Sequence, residues 1–160
     1  MVKINFLGSC REVGRSAILI ESKSGEKCLL DYGVRFSEEN RLPYETDLNG
    51  LKFVAVTHCH VDHTGAIPRL YSNGSPIFFT NPLTLELTEI LLKDMIRVSS
   101  YPYPFGNIEL NQMKKNAHFL KNQEKVKVGK DYYITFYNAG HVPGSVSILI
   151  EVDGKKILYT

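Results

Sequence analysis

An apolar segment that runs directly into three histidines and an aspartate is the feature that most restricts how this chain can fold. Residues 53–56 are uncharged and include two β-branched valines, which predicts a short buried strand. After Thr57 the sequence changes abruptly to His58-Cys59-His60-Val61-Asp62-His63. Polar residues at the carboxyl end of a buried strand are typical of α/β sites. The pattern therefore predicts an α/β fold with its site at that edge of a sheet.

The spacing of these side chains favours metal binding. In an extended chain, His58 and His60 project to the same side and Cys59 points away. Asp62 and His63 follow in the turn into a predicted short helix, where they present an oxygen and a nitrogen to a neighbouring point. Imidazole nitrogen and carboxylate oxygen are ligands that Zn²⁺ accepts, and an open coordination position makes such a site catalytic. Two adjacent metal ions that activate water are predicted, and surface histidines in a polar loop are the alternative.

Four segments together resemble a known family. The segment 58–63 resembles the HxHxDH signature of the metallo-β-lactamase superfamily. Its wider context is similar to the β-CASP RNA nucleases, which include bacterial RNase J, archaeal cleavage-factor homologues and the eukaryotic pre-mRNA 3′-end endonuclease. The other matching segments are Leu-Leu-Asp-Tyr-Gly at 29–33, Asn-Ala-Gly-His-Val-Pro-Gly-Ser at 138–145, and Lys-Ile-Leu-Tyr-Thr at 156–160.

The resemblance implies a fold and a domain organisation. The fold class expected is α/β, a metallo-β-lactamase-like αββα sandwich of which residues 1–160 form the N-terminal half. In the family, the strand matching residues 157–160 is followed by Gly-Asp, whose aspartate bridges two metals, and a later histidine ligates the second metal. The β-CASP insert and the C-terminal remainder are likewise expected beyond Thr160. The 160 residues alone are therefore expected to be inactive.

The resemblance also implies a ligand set. A histidine on a turn after a strand, as at His141, is by itself most often solvated. Its match to the family's third motif makes it a metal ligand with His58 and His60, which leaves Asp62 and His63 for a second zinc ion. Asp62 is the candidate catalytic residue that positions the attacking water or accepts its proton.

Asp31 has a weaker local signal. From its position before Gly33, it is expected to form a turn. A carboxylate at the end of a buried strand must find hydrogen-bond donors, because its desolvation is otherwise unfavourable. The match to the family's first motif implies that Asp31 orients a metal-bound histidine or the loop that carries it.

Composition limits the remaining possibilities. The chain is 43% hydrophobic and 22% charged over 160 residues, which is typical of one globular domain. A net charge of +2 is too small to indicate a nucleic-acid partner. Its three widely spaced cysteines argue against a disulfide framework and favour a reducing compartment. No leader pattern or membrane-length apolar run is present, so a cytoplasmic protein without membrane contact is expected.

The predicted function is hydrolysis of RNA phosphodiester bonds by a zinc-dependent ribonuclease, with two zinc ions in the full-length enzyme and RNA as partner. Its assembly is left open between a homo-oligomer and an RNA-processing complex. One alternative function is a small-molecule metallohydrolase of the same fold, acting on a thioester or a lactone. The other is a non-catalytic scaffold subunit of an RNA-processing complex.

Two predicted helices and one loop complete the sequence interpretation. Apolar residues at helical spacing predict a helix from Leu83 whose buried face carries Leu83, Leu87, Ile90, Leu91 and Met95. A second helix is predicted over 108–120, with His118 in a structural role and with lysines that either contact RNA or are simply solvated. The aromatic and proline-rich segment 101–106 either stacks on bases or folds back onto the domain.

Overall fold

The chain folds into three layers: a helical layer, a mixed six-stranded sheet and an antiparallel four-stranded sheet. The structure is a computed structural model that describes residues 1–37 and 41–160. The segment 37–50 is predicted to be a loop, and its residues 38–40 lie outside the described part.

The first sheet has the strand order β1-β2-β3-β4-β5-β6. Its strands are Lys3–Phe6 (β1), Ile18–Glu21 (β2), Lys27–Leu30 (β3), Leu51–Ala55 (β4), Ile77–Thr80 (β5) and Ala117–Phe119 (β6). β1 to β3 pair antiparallel as a meander, and β3 to β6 pair parallel. The parallel strands β3 to β5 are apolar on both faces because other layers cover both.

The second sheet is antiparallel and contains two hairpins. Its strands are Lys125–Val128 (β7), Tyr132–Asn138 (β8), Val146–Val152 (β9) and Lys155–Tyr159 (β10), in the order β10-β9-β8-β7. Burial alternates along β9, so only one face of this sheet packs on the core.

The helices connect the parallel strands. They are Val61–Thr64 (α1), Pro82–Val98 (α2), Asn107–Lys115 (α3) and a 3₁₀ helix at Ile67–Tyr71. Pro68 lies in the first turn of the 3₁₀ helix, where its missing N–H is tolerated. No helix in the described ranges is long and apolar enough to cross a bilayer.

Two apolar clusters form the core, one at each interface between adjacent layers. One lies between the helices and the first sheet and includes Leu29, Val54, Leu92 and Met113. The other fills the space between the two sheets and includes Phe53, Phe79, Tyr132 and Ile148. Helix, sheet and sheet are three of the four layers of the predicted αββα sandwich, and the α/β fold class is confirmed.

The predicted helix 108–120 is wrong in its second half. α3 ends at Lys115, Asn116 caps it, and the chain then pairs in parallel with β5 as β6. His118 therefore lies in a strand, with its side chain exposed. A strand of three residues is too short to show alternation, so the helical pattern of the preceding residues extended the prediction too far.

The buried face of α2 also differs from the prediction. Thr84, Thr88, Leu92 and Met95 are buried, whereas Leu83, Ile90 and Leu91 are exposed. The face that packs on the sheet begins with two threonines, which a pattern based on apolar residues does not detect.

Two features are predicted either to contact RNA or to be structural: the aromatic segment 101–106 and the lysines of the predicted helix 108–120. Phe105 is buried in the core, and the Tyr103 ring stacks on it with a centroid separation of 5.3 Å. Lys114 forms an ion pair with Glu89 at 2.6 Å. Both observations favour the structural interpretation over contact with RNA.

Candidate metal centre

Two segments bring the candidate ligands to one edge of the two sheets. β4 ends at Ala55, and the extended residues after it carry His58 and His60 into α1. The loop between β8 and β9 carries His141. Its end is tied to the first sheet, because Val146 N–H donates to Thr57 C=O at 2.8 Å.

The imidazole rings of His58, His60 and His141 face one another. One ring nitrogen from each lies within 4.8 Å of those of the other two. His58 Nε2 is 2.9 Å from His60 Nδ1, and Cys59 between them is buried on the other side. His58 is buried, while His60 and His141 are exposed. Three convergent imidazole nitrogens with one solvent-facing side fit a metal ion with an open coordination position.

Thr57 fixes the orientation of the His58 ring. Its hydroxyl donates to Asp31 Oδ2 at 2.9 Å and lies 2.9 Å from His58 Nδ1. Because the hydroxyl donates its proton to Asp31, the Thr57 oxygen accepts a hydrogen bond from His58 Nδ1–H. This hydrogen bond leaves His58 Nε2 as the nitrogen with a free lone pair, directed at the group of three rings.

Asp31 is completely buried and accepts four hydrogen bonds. Oδ1 accepts from Thr57 N–H at 2.8 Å. Oδ2 accepts from Thr57 Oγ1, from His63 Nδ1 at 2.7 Å and from Tyr159 Oη at 2.9 Å. One carboxylate thus connects the strand that leads to His58, the helix that carries His63 and the last strand, β10.

Asp62 and His63 form a second pair of donors beside the three histidines. Because His63 Nδ1 donates to Asp31, His63 Nε2 is left free, and it lies 3.6 Å from Asp62 Oδ2. The His58 and His63 rings are 4.2 Å apart between centroids. The pair thus adjoins the group of three, although among the residues described no third donor joins it.

Gly33 allows the Asp31 loop to approach α1 closely. A Cβ atom on Gly33 would lie 1.7 Å from the carbonyl oxygen of Asp62. On either side of Gly33, Tyr32 N–H donates to His63 C=O and Val34 N–H donates to Val61 C=O. Gly33 therefore allows direct backbone contact between the segment 29–33 and the segment 58–63.

The ring pKa values differ across the site. Burial lowers the pKa of His58 to about 4, and the neighbouring His63 acts in the same direction. Burial also disfavours protonated His63, but its hydrogen bond to Asp31 and the charge of Asp31 outweigh that effect and raise its pKa. His58 is therefore neutral at pH 7, as a metal ligand must be.

The structure brings together all six residues singled out from the sequence: His58, His60, Asp62, His63, His141 and Asp31. Their individual roles stay predictions. The sequence interpretation assigned no role to Thr57 or to Tyr159. Thr57 lies between the apolar strand and His58, where a hydroxyl is within reach of the ring, and that position was the available signal. Tyr159 lies 128 residues from Asp31, and no local pattern links them.

Relatives that match this chain in sequence include proteins named as ribonucleases and as transcription termination factors. No family model matches the chain. The chain is 34% identical over 160 residues to the RNase J-like protein of Methanocaldococcus jannaschii, with 100% of the chain and 36% of the relative covered. It is 32% identical over 173 residues to cleavage and polyadenylation specificity factor subunit 3 of Dictyostelium discoideum, with 100% and 22% covered. The chain spans about a third of the length of the first of these relatives and less of the second.

A solved metallo-β-lactamase from Cronobacter sakazakii superposes with a TM-score of 0.65 at 18% identity. The superposition covers 98% of this chain and 60% of that one. Likeness at this identity shows the fold alone, and it confirms the metallo-β-lactamase-like architecture.

Proposed function

Because this chain belongs to the β-CASP branch of the metallo-β-lactamase superfamily, we propose that it carries the metal centre of a ribonuclease that hydrolyses RNA phosphodiester bonds. Its relatives include proteins named as an RNase J-like protein, a ribonuclease of Thermus thermophilus and a subunit of a eukaryotic cleavage factor. Their greater length supports the proposal that residues 1–160 are one part of a longer enzyme.

The convergence of His58, His60 and His141 beside Asp62 and His63 is the observation that carries this proposal. Neutral nitrogens and one carboxylate are a donor set that zinc prefers, and the cluster contains no thiolate. We assign the first zinc to the three histidines and the second to Asp62 and His63 with further donors. A scaffold subunit would not need this donor set, and its presence therefore favours an enzyme.

Zinc held by these residues would supply Lewis-acid chemistry, which would activate water as a nucleophile and stabilise negative charge on the phosphodiester oxygens. The chain's own residues prepare the site. Thr57 and Asp31 accept hydrogen bonds from Nδ1 of His58 and His63, so Nε2 is the ring nitrogen that each residue would offer to a metal ion. Asp62 Oδ2, close to His63 Nε2, positions the water and accepts its proton.

Protons already bound within the cluster have a consequence for metal uptake. Since His58 Nε2 carries a lone pair, the 2.9 Å contact with His60 Nδ1 requires a proton on His60. Metal binding at His60 Nδ1 would require the other tautomer of this imidazole, with the proton on Nε2.

The test uses the protein made from its complete reading frame and purified without chelator. We expect about two zinc ions per chain and cleavage of single-stranded RNA. His60→Ala should abolish cleavage and leave the fold intact, whereas His118→Ala, which changes an exposed histidine in β6, should have no effect. Cleavage by His60→Ala at the parental rate would show that the site is wrongly assigned. Hydrolysis of a thioester or lactone without RNA cleavage would favour the small-molecule alternative.

A further inference from the structure

The carbonyl of Gly144, three residues after His141, is held by the start of α2. Asn81 Nδ2 donates to this carbonyl at 2.6 Å, and Thr84 Oγ1 donates to it at 3.0 Å. Asn81 is also the N-cap of α2, because its Oδ1 accepts from Thr84 N–H at 3.0 Å. One short motif, Asn81 to Thr84, thus starts the helix and binds the histidine loop.

The loop is shaped for this contact. Gly144 has φ +84°, and a Cβ atom there would lie 2.7 Å from Thr84 Oγ1 and 3.0 Å from Asn81 Oδ1. Glycine is therefore required both for the backbone conformation and for the close approach. Thr84 is 1% exposed, so its hydroxyl has no access to water as an alternative partner.

The position of His141 depends on its backbone. Within the described part of the chain its ring makes no hydrogen bond, unlike the rings of His58 and His63, which bond to Thr57 and Asp31. Its main-chain N–H donates to Ser145 Oγ at 2.9 Å, which closes the turn on itself. The hydrogen bond from Val146 to Thr57 secures the end of the turn, and among the described residues the Gly144 carbonyl is bound by Asn81 and Thr84 at the start of α2.

We propose that Asn81 and Thr84 are positioning residues for His141. By holding the Gly144 carbonyl, they keep the exposed His141 ring near His58 and His60 before metal arrives, so that binding need not order the loop. This inference rests on the metal-binding role of His141 in the proposed function. Loss of groups that orient a metal ligand typically lowers metal affinity by about 10–100-fold, and we expect an effect of that size here.

The decisive variant is Asn81→Asp in the full chain. Aspartate retains an oxygen that caps α2 through Thr84 N–H, but it replaces the donor to Gly144 with an acceptor. We expect unchanged far-UV circular dichroism and a zinc Kd raised about 10–100-fold in competition with a chromophoric chelator. NMR should also show broadened His141 signals in the metal-free protein. Asn116→Asp, the same change at an amide that donates to Gln112 C=O in α3, is the matched control.

A second pair of variants covers the case in which Asn81→Asp fails to fold. Thr84→Val removes the hydroxyl at nearly constant volume and should weaken zinc binding, and Thr84→Ser retains the hydroxyl and should restore it. His141→Ala separates the two proposals. If His141→Ala loses zinc affinity while Asn81→Asp and Thr84→Val do not, the positioning role is refuted and the metal site stands. If His141→Ala binds zinc as tightly as the parent, the metal site itself is refuted.

Discussion

The Tyr159 hydroxyl donates a hydrogen bond to Asp31 Oδ2 at 2.9 Å and so joins the last strand of the second sheet to the carboxylate behind the histidines. Burial raises the pKa of Tyr159, and the negative charge of Asp31 acts in the same direction, so the phenol keeps its proton at any physiological pH. The Tyr159 hydroxyl therefore donates to the Asp31 carboxylate throughout that pH range. It links the two sheets at the site.

Tyr159→Phe removes this donor and retains the ring. A hydrogen bond to a charged group contributes about 1.5–3 kcal/mol, and Asp31 retains its other donors. We expect the free energy of unfolding to fall by about 1–2 kcal/mol, measured by urea denaturation. Tyr137→Phe, which removes an exposed hydroxyl from the second sheet, should change it by less than about 0.5 kcal/mol. Equal effects of the two variants would contradict the assignment.

Asp31→Asn tests the charge itself. Asparagine tolerates the left-handed backbone at φ 56°, so the substitution leaves the turn conformation available. Its amide, however, has one oxygen for four donors, and its NH₂ group would face hydroxyl or imidazole protons. We expect a loss of at least about 2 kcal/mol of stability together with weaker zinc binding.

Asp153→Asn is the control for this change, because Asp153 has φ 50° and its carboxylate accepts from Lys23 N–H at the surface. It should shift stability by less than about 1 kcal/mol and leave zinc affinity unchanged. A zinc affinity of Asp31→Asn equal to that of the control would show that Asp31 does not orient His63.

In the metal-free protein, His58 and His63 should titrate at different pH values. In an NMR titration, His58 should protonate near pH 4, because burial lowers its pKa, and His63 should protonate above its usual 6.5. The unfolded chain takes up a proton at His58 near pH 6.5 that the folded chain excludes, so this group lowers stability as pH falls from 6.5 to about 4. His63 acts oppositely: its contribution is present below pH 6.5 and is lost as pH rises through its folded pKa. Coincident midpoints near 6.5 would contradict the described burial and Asp31 contact.

The local patterns of the sequence predict much of this fold for identifiable reasons. The strand before His58 is short and apolar and is followed at once by polar residues, and this signal is local. The six candidate site residues came from two sources. Spacing at a strand end indicated His58, His60, Asp62 and His63, whereas His141 and Asp31 needed the family resemblance.

The missed features depend on contacts between distant segments. Thr84 packs inward because it bonds to Gly144, 60 residues away, and no periodicity contains that information. Tyr159 reaches Asp31 only because the two sheets stack. β6 exists because β5 offers it a free edge, and its own three residues carry no strand signal.

Zinc stoichiometry of the 160-residue chain follows from the donors that the structure brings together. His58, His60 and His141 supply three nitrogens, which suffices for one zinc ion with an open position. Asp62 and His63 supply two donors, fewer than the three or four that zinc sites generally use. We therefore expect about one zinc per chain after gel filtration and no RNA cleavage above background.

Two histidine variants test whether the bound zinc ion is held by the three candidate ligands. His141→Ala should leave less than half of that zinc bound at equal protein concentration, whereas His118→Ala, on the exposed face of β6, should retain all of it. Weak binding is expected even in the parent, because two of the three ligand rings are exposed to solvent. Two zinc ions per chain with steady RNA turnover would show that Asp62 and His63 recruit donors that the structure does not place beside them, and the assignment of the second position would have to be rebuilt around those residues.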